Sequence, residues 1–186
     1  MAIVKLKTPI KEDDVVKLRA GDKVLISGEI YTARDAAHKQ LLEMVAKGEK
    51  LPFDPKGAVI YYVGPAPAKP GKPIGPCGPT TSYRMDPYTE GMLKLGVKVL
   101  IGKGERSKDV RDALVKYKAV YLAATGGAAT LLAKKVLSSE LIAFKELGPE
   151  ALVRLTVEDF PATVVNDALG SDLYEEGRKK YEIKTK

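Results

Sequence analysis

Residues 97–124 read VKVLIGKGERSKDVRDALVKYKAVYLAA, and this stretch decides the fold class. Val97–Ile101 is a short apolar run rich in β-branched residues, the composition of a buried strand. Gly102-Lys103-Gly104 interrupts it. Ser107 stands where a helix N-cap belongs. Val110, Ala113, Leu114 and Tyr117 then recur at three- and four-residue spacing, which puts them on one helix face. Ala119–Ala124 is a second short apolar run. Strand, helix and strand in so short a span predict a βαβ unit with parallel pairing.

Working outward, the same alternation continues. Upstream, Ile3–Leu6 reads as a strand, Asp13–Leu18 as a short helix and Val24–Ile30 as a strand, with Gly21-Asp22 as a turn. Thr32-Ala33-Arg34-Asp35 has the form of a capping box with Asp in place of Glu, and Ala37, Leu41, Leu42 and Val45 form the apolar stripe of the helix it would start. Arg34 is thereby expected in the first helical turn. Ala58–Val63 reads as a strand and Tyr88–Leu95 as a helix. Downstream, the sequence predicts a helix over Gly127–Leu137, a short strand over Leu141–Phe144, and β structure at Leu152–Val157 and Ala162–Val165. The expectation is one α/β domain over residues 1–186, with a mixed sheet containing βαβ units and a polar tail at about 177–186.

Composition narrows the function classes. No apolar run is long enough to span a bilayer. Met1-Ala2-Ile3-Val4-Lys5 lacks a signal-peptide pattern, so a cytoplasmic location is expected. The single cysteine, Cys77, rules out an internal disulfide or a thiolate metal cage built by this chain alone. The net charge of +7 permits nucleic-acid binding. However, the cations are interleaved with acids, and no cluster of aromatics and arginines offers a stacking platform. With one Gln, one Asn and many Lys and Glu, the composition is thermophile-like.

Half of the twelve prolines fall in residues 64–79, GPAPAKPGKPIGPCGP, which can be neither helix nor central strand. An ordered, stiff loop is expected there, because it delivers Gly78-Pro79-Thr80-Thr81-Ser82-Tyr83-Arg84-Met85-Asp86. Two adjacent hydroxyls and a guanidinium within five positions suit a small carboxylic acid, since arginine presents a rigid fork of donors matched to a carboxylate. Arg34 and Lys103 each follow a strand, where ligands of α/β sheets bind. Each also has a plainer reading: Arg34 as a surface side chain, Arg84 paired to Asp35 or Asp86, and Thr80 and Thr81 as caps. Gly102-Lys103-Gly104-Glu105-Arg106-Ser107 lacks the Walker spacing. His38, the only histidine, shares a helix face with Arg34 and is more often a structural hydrogen-bonder than a catalyst.

Taken jointly, these segments resemble the iron–sulfur-dependent class I fumarate hydratases. Residues 32–39 are similar to that family's GRDAAHKR motif, with Ala33 for the usual Gly. Residues 78–86 resemble its GPTT-x-x-RMD motif, and Lys103–Ser107 its KGNRS motif, with Glu105 for Asn. Glu146-Leu147-Gly148 and Val157–Ala162 resemble its ELG and VEDFPA segments, in the same order. The match corresponds to the C-terminal domain of the single-chain enzymes, or to the separate β subunit of the two-subunit form.

The resemblance implies a swivelling β/β/α fold. It implies a partner α subunit carrying a [4Fe-4S] cluster, with this chain binding none and holding no metal of its own. It implies reversible hydration of fumarate to (S)-malate, with Arg34, Thr80, Arg84 and Lys103 binding substrate. Thr80, Arg84 and Lys103 would be the catalytic members, and Asp35, His38, Thr81 and Arg106 would support them. Thr80 matches a threonine connected with proton transfer at C3, as base or as orienting group. An α2β2 assembly is expected, or a homodimer of the isolated chain. L-tartrate dehydratase β subunits are similar but usually lack the KGxRS pattern, which favours the fumarase reading. A basic nucleic-acid-binding module and a stand-alone carboxylate-binding domain are the remaining alternatives.

Overall fold

The computed structural model describes residues 3–183. The chain runs β1 (Ile3–Lys7), α1 (Glu12–Val15), β2 (Lys23–Thr32), α2 (Asp35–Ala46), β3 (Val59–Tyr61), a 3-10 turn (Ser82–Met85) leading directly into α3 (Asp86–Leu95), β4 (Val99–Gly102), α4 (Lys108–Lys116), β5 (Val120–Ala123), α5 (Ala129–Ala133), β6 (Val136–Ala143), a kinked 3-10 segment (Lys145–Glu150), β7 (Leu152–Asn166) and α6 (Leu173–Tyr181). The architecture is α/β with a mixed sheet, as the alternation predicts.

Strands β1 to β5 pair in parallel in chain order, and β7 runs antiparallel to β2, β5 and β6. Because β7 bonds both β5 and β2, the circuit β2–β3–β4–β5–β7 closes on itself. Closure satisfies strand edges that would otherwise be open. β1 extends the first half of β2, and β6 covers the first half of β7.

The period-2 alternation of strands then sorts side chains into two cores. Val59, Tyr61, Val99, Ile101, Val120 and Leu122 join Ile26, Ile30, Leu155 and Phe160 in one buried cluster. Their neighbours Ile60, Leu100 and Tyr121 join a second, against Ala37 and Leu41 of α2, Met92 and Leu93 of α3, and Val110, Ala113 and Leu114 of α4. α2, α3 and α4 therefore sit outside the ring, on crossovers between parallel strands, whereas Val15 of α1 and Leu132 of α5 join the first cluster. Each fully buried Leu or Ile contributes about 1.5–3 kcal/mol by burial, so Leu100→Ala, at 0% exposure, is expected to cost about 2–5 kcal/mol.

Ser107 caps α4 as the sequence predicts, its Oγ accepting from Val110 N at 3.3 Å. Other expectations are corrected. α1 spans Glu12–Val15, earlier and shorter than Asp13–Leu18. The capping box does not form: Thr32 remains in β2, where its Oγ1 donates to Ala151 O and accepts from Val153 N. Arg34 is the N-cap residue of α2, in extended backbone, and not a member of the first turn. The helix placed at Gly127–Leu137 is confined to Ala129–Ala133. Residues from Val136 onward form β6, since their backbone groups are taken by β7. The strand at Leu141–Phe144 is only the end of β6, and Phe144 leaves it with φ 60°. Leu152–Val157 and Ala162–Val165 are one strand, with a register shift between Val157 and Phe160 where Asp159 has φ 47°. The polar tail, expected to be loose or weakly helical, begins inside α6, which is capped by Asp172 accepting from Tyr174 N at 2.9 Å and continues to Tyr181. The end of the tail, 184–186, lies outside the described residues.

Candidate active site

Parallel strands point their carboxyl ends the same way, so the segments leaving β2, β3 and β4 emerge at one end of the ring. Those segments carry Arg34, Thr80 to Arg84, and Lys103. The proline-rich segment 64–79 is tied down before it reaches the site. Ala66 N donates to Pro76 O at 3.0 Å, Cys77 N to Ala129 O at 3.2 Å, and Thr80 N to Tyr62 O at 2.8 Å. Tyr61 Oη donates to Cys77 O at 2.5 Å from inside the ring. The stiff loop predicted from sequence is thus anchored at both ends.

Arg84 is the hub. Its Nη2 donates to Thr80 Oγ1 at 2.7 Å, and its Nη1 lies 3.3 Å from Asp35 Oδ2. Of its two expected acidic partners, the structure selects Asp35. Asp86 is engaged elsewhere. Arg34 reaches the opposite way: its Nη2 lies 3.0 Å from Glu150 Oε1, and Glu150 Oε2 accepts from Ala36 N at 3.3 Å, at the first turn of α2. One carboxylate therefore meets both the guanidinium and the positive end of the helix dipole. Gly64 makes room for this, since a β-carbon there would stand 2.8 Å from Arg34 Nη1. Arg34 Nε and Asp35 Oδ1 are buried and find no partner among the described residues.

Lys103 joins through its backbone. Thr81 and Lys103 form a parallel bridge, Ser82 N donates to Lys103 O at 2.9 Å, and Lys103 N donates to Ser82 Oγ at 3.0 Å. Thr81 is the residue before the 3-10 turn, but its hydroxyl does not cap it. The Lys103 side chain is exposed and forms no ion pair among the described residues. Its Cδ passes 3.7 Å from where a β-carbon on Gly126 would stand. Within this set, two of the three cations are paired to carboxylates, Arg34 to Glu150 and Arg84 to Asp35.

Two of the supporting candidates turn out to be buried scaffolding. Arg106 has a fully buried side chain; its Nε donates to Asp86 Oδ1 at 2.8 Å and its Nη2 to Thr89 Oγ1 at 2.7 Å. The guanidinium also lies 5.4 Å from the Tyr62 ring centre and 5.0 Å from that of Tyr121. Asp86 Oδ2 accepts from Ser107 N at 2.9 Å. The RMD and KGERS segments are therefore clamped together by Asp86 and Arg106. His38 is 0% exposed. Its Nδ1 lies 2.8 Å from Arg34 O, so Nδ1 carries the proton and Nε2 is a bare, buried acceptor. Burial lowers its pKa to about 4, with the Arg106 charge adding to the effect and the bond to Arg34 O opposing it. The neutral ring fixes the carbonyl from which Arg34 projects.

Sequence reasoning missed three residues. Glu150 lies 114 positions from Ala36, and no local pattern connects them. Ser82 and Tyr121, 39 positions apart, share a 2.9 Å hydrogen bond. Tyr121 looked like an ordinary strand residue.

Comparison with known proteins agrees with this arrangement. The family model "Fumarase C-terminus" matches residues 1–177. The chain is 42% identical over 177 residues to a Methanocaldococcus jannaschii protein named "Putative L(+)-tartrate dehydratase subunit beta", covering 92% of this chain and 91% of that one. It is 41% identical over 175 residues to fumarate hydratase 2 of Leishmania major and 37% identical over 177 residues to the anaerobic class I fumarate hydratase of Escherichia coli. It covers 31% and 32% of those two, and thus spans about a third of the length of these fumarate hydratases. The clamped motifs, the closed ring and the match over residues 1–177 lead to one conclusion: the chain belongs to the fumarase C-terminus family.

Proposed function

We propose that this chain is the substrate-cradling part of a fumarate hydratase, a hydro-lyase that adds water across a dicarboxylate double bond, and that its fold is the swivelling β/β/α domain. The observation that carries the reading is the convergence of Arg34, Thr80, Arg84 and Lys103 from three separate strand-to-helix connections onto one end of the ring. Asp35 and the hydrogen bonds of Ser82 join them.

Fumarate and malate each carry two carboxylates. Arg34, Arg84 and Lys103 bind them and neutralise their charge. Removing the C3 proton of malate pushes further negative charge onto the adjacent carboxylate, giving an aci-like species. Fixed cations aimed at that group favour the transition state over the ground state. Arg84 presents one amino group to Thr80 Oγ1 and so stabilises negative charge on that oxygen. In this position Thr80 orients substrate or water and can take part in moving the C3 proton.

The iron–sulfur cluster implied by the family resemblance does not fit this chain. Cys77 is 0% exposed, and burial pushes its thiol up to about 11, so it is not a ready thiolate ligand. No group of three or more His, Cys, Asp or Glu residues among those described is placed to hold a metal ion. We therefore infer that a cluster-bearing α subunit completes the site.

The test is anaerobic co-expression with a candidate α subunit, followed by parallel assays on fumarate and L-tartrate. Hydration of fumarate by the pair, with none by this chain alone, is the expected result. Robust turnover by the isolated chain refutes the shared-site reading. Tartrate dehydration is the second reading. It is favoured by the 91% coverage of the M. jannaschii protein, and preferential turnover of tartrate by the pair selects it.

A further inference from the structure

Lys103 poses a positioning problem. Its side chain is long, exposed and unpaired among the described residues, so nothing at its tip holds it. Its backbone, by contrast, is held on both sides. Ser82 N donates to Lys103 O and Ser82 Oγ accepts from Lys103 N, at 2.9 and 3.0 Å. Ser82 Oγ also lies 2.9 Å from Tyr121 Oη, which donates to Gly104 O at 2.9 Å. A hydroxyl has one proton. Since the Tyr121 proton goes to Gly104 O, the Ser82 proton goes to Tyr121, and the direction of the relay is fixed. Both residues are 0% exposed. Burial raises the Tyr121 pKa, so the phenol stays a donor. Gly102 is packed beneath: a β-carbon there would stand 1.9 Å from Ser82 Oγ and 2.9 Å from Tyr62 Cδ2.

Resting on the reading of the site given above, we propose that Ser82 and Tyr121 are positioning residues that set Lys103 against the substrate. Ser82 lies two residues after Thr80 and two before Arg84. The bracket therefore ties the lysine loop to the segment that carries the other two catalytic groups. Tyr121, on β5, fixes the far side of the same loop at Gly104. A displacement of about 1 Å at such a group costs up to ~100-fold in rate, which is how a hydroxyl away from the substrate acts on turnover.

The experiment is a double-mutant cycle on the assembled two-subunit enzyme, with fumarate as substrate. Tyr121→Phe removes only the hydroxyl. It is expected to lower kcat/KM about tenfold, mostly in kcat, because misplacing a transition-state cation is felt there. In a Lys103→Ala background the same change is expected to cost less than about twofold, since the group it positions is gone. Ser82→Ala, which leaves Tyr121 bonded to Gly104, provides a second variant with the same expected pattern should Tyr121→Phe fold poorly. Equal losses in both backgrounds overturn the proposal and make the network purely structural. So does an unchanged Tyr121→Phe enzyme beside a Lys103→Ala enzyme slowed 100-fold or more. A Lys103→Ala enzyme with wild-type kinetics overturns the underlying reading of the site instead.

Discussion

Replacing Asp86 by alanine strips a counter-ion from a guanidinium that has no access to water. Arg106 is 0% exposed in its side chain, and Asp86 Oδ1 holds its Nε at 2.8 Å. After the change the guanidinium retains Thr89 Oγ1 at 2.7 Å and the rings of Tyr62 and Tyr121. Its Nη1 is already buried without a partner among the described residues. Leaving a buried charge unpaired costs about 3–5 kcal/mol. The freed Ser107 N–H adds about 0.5–1 kcal/mol, and the two ring faces already act in the unmodified chain, so they cancel. The expected loss is about 4 kcal/mol, a large fraction of the ~5–15 kcal/mol that stabilises a typical domain. Urea unfolding of the purified chain, followed by far-UV circular dichroism, measures it. Arg106→Met introduced into the Asp86→Ala chain removes the stranded charge and is expected to restore about half of the loss or more. A loss below about 1 kcal/mol for Asp86→Ala refutes the reasoning, as does an Arg106→Met effect that simply adds to it.

In the assembled enzyme, Arg84→Ala is expected to lower kcat/KM at least ~100-fold, the scale of a lost transition-state donor. Unchanged kinetics would remove Arg84 from the site. His38 gives ring resonances that no other residue can mimic, because it is the only histidine. Its folded pKa of about 4 lies below its ordinary 6.5, so the unfolded chain binds the extra proton first. Stability from this group is full above pH 6.5 and falls as pH drops towards 4, by about 3 kcal/mol in all. The ring proton resonances should therefore not titrate between pH 8 and about 5, and an NMR midpoint near 6.5 would contradict the burial argument. Gly102→Ala drives a methyl against Ser82 Oγ, so a drop of about 1–3 kcal/mol in unfolding free energy is expected. A neutral thermal shift would show that Ser82 can move aside.

Local patterns made the strands and most helices legible. The apolar runs at 58–63, 97–101 and 119–124 and the Ser107 cap depend on neighbours within a few residues; each run yields a strand, at Val59–Tyr61, Val99–Gly102 and Val120–Ala123, with ends displaced by one or two residues. The four candidate site residues stand out in the sequence for a different reason: their motifs come as contiguous words. What escaped is set by distant chain. Residues 134–137 have adequate helical character, yet β7 captures the backbone from Val136 onward. Thr32 has the chemistry of a cap, but a neighbouring strand offers Ala151 O and Val153 N. Glu150 carries no signal because its value lies in meeting Arg34 across the fold. Arg106 reads from its motif as a supporting residue, but its buried ion pair with Asp86, 20 positions away, is visible only in the fold, where it holds two of the motifs together.

The pairing of β2 with β7 also has a kinetic meaning. Lys23 and Thr163, 140 positions apart, meet through their side chains, and Thr32 Oγ1 accepts from the Val153 backbone amide, 121 positions away. A growing chain can assemble the parallel strands from local crossovers, but it cannot seal the ring until residues 152–166 have been synthesised. Loop-closure entropy makes that last step slow. Until it happens, the inner apolar faces and one long border of β2 stand open to water and to other chains, so this is the interval in which the protein is most prone to aggregate.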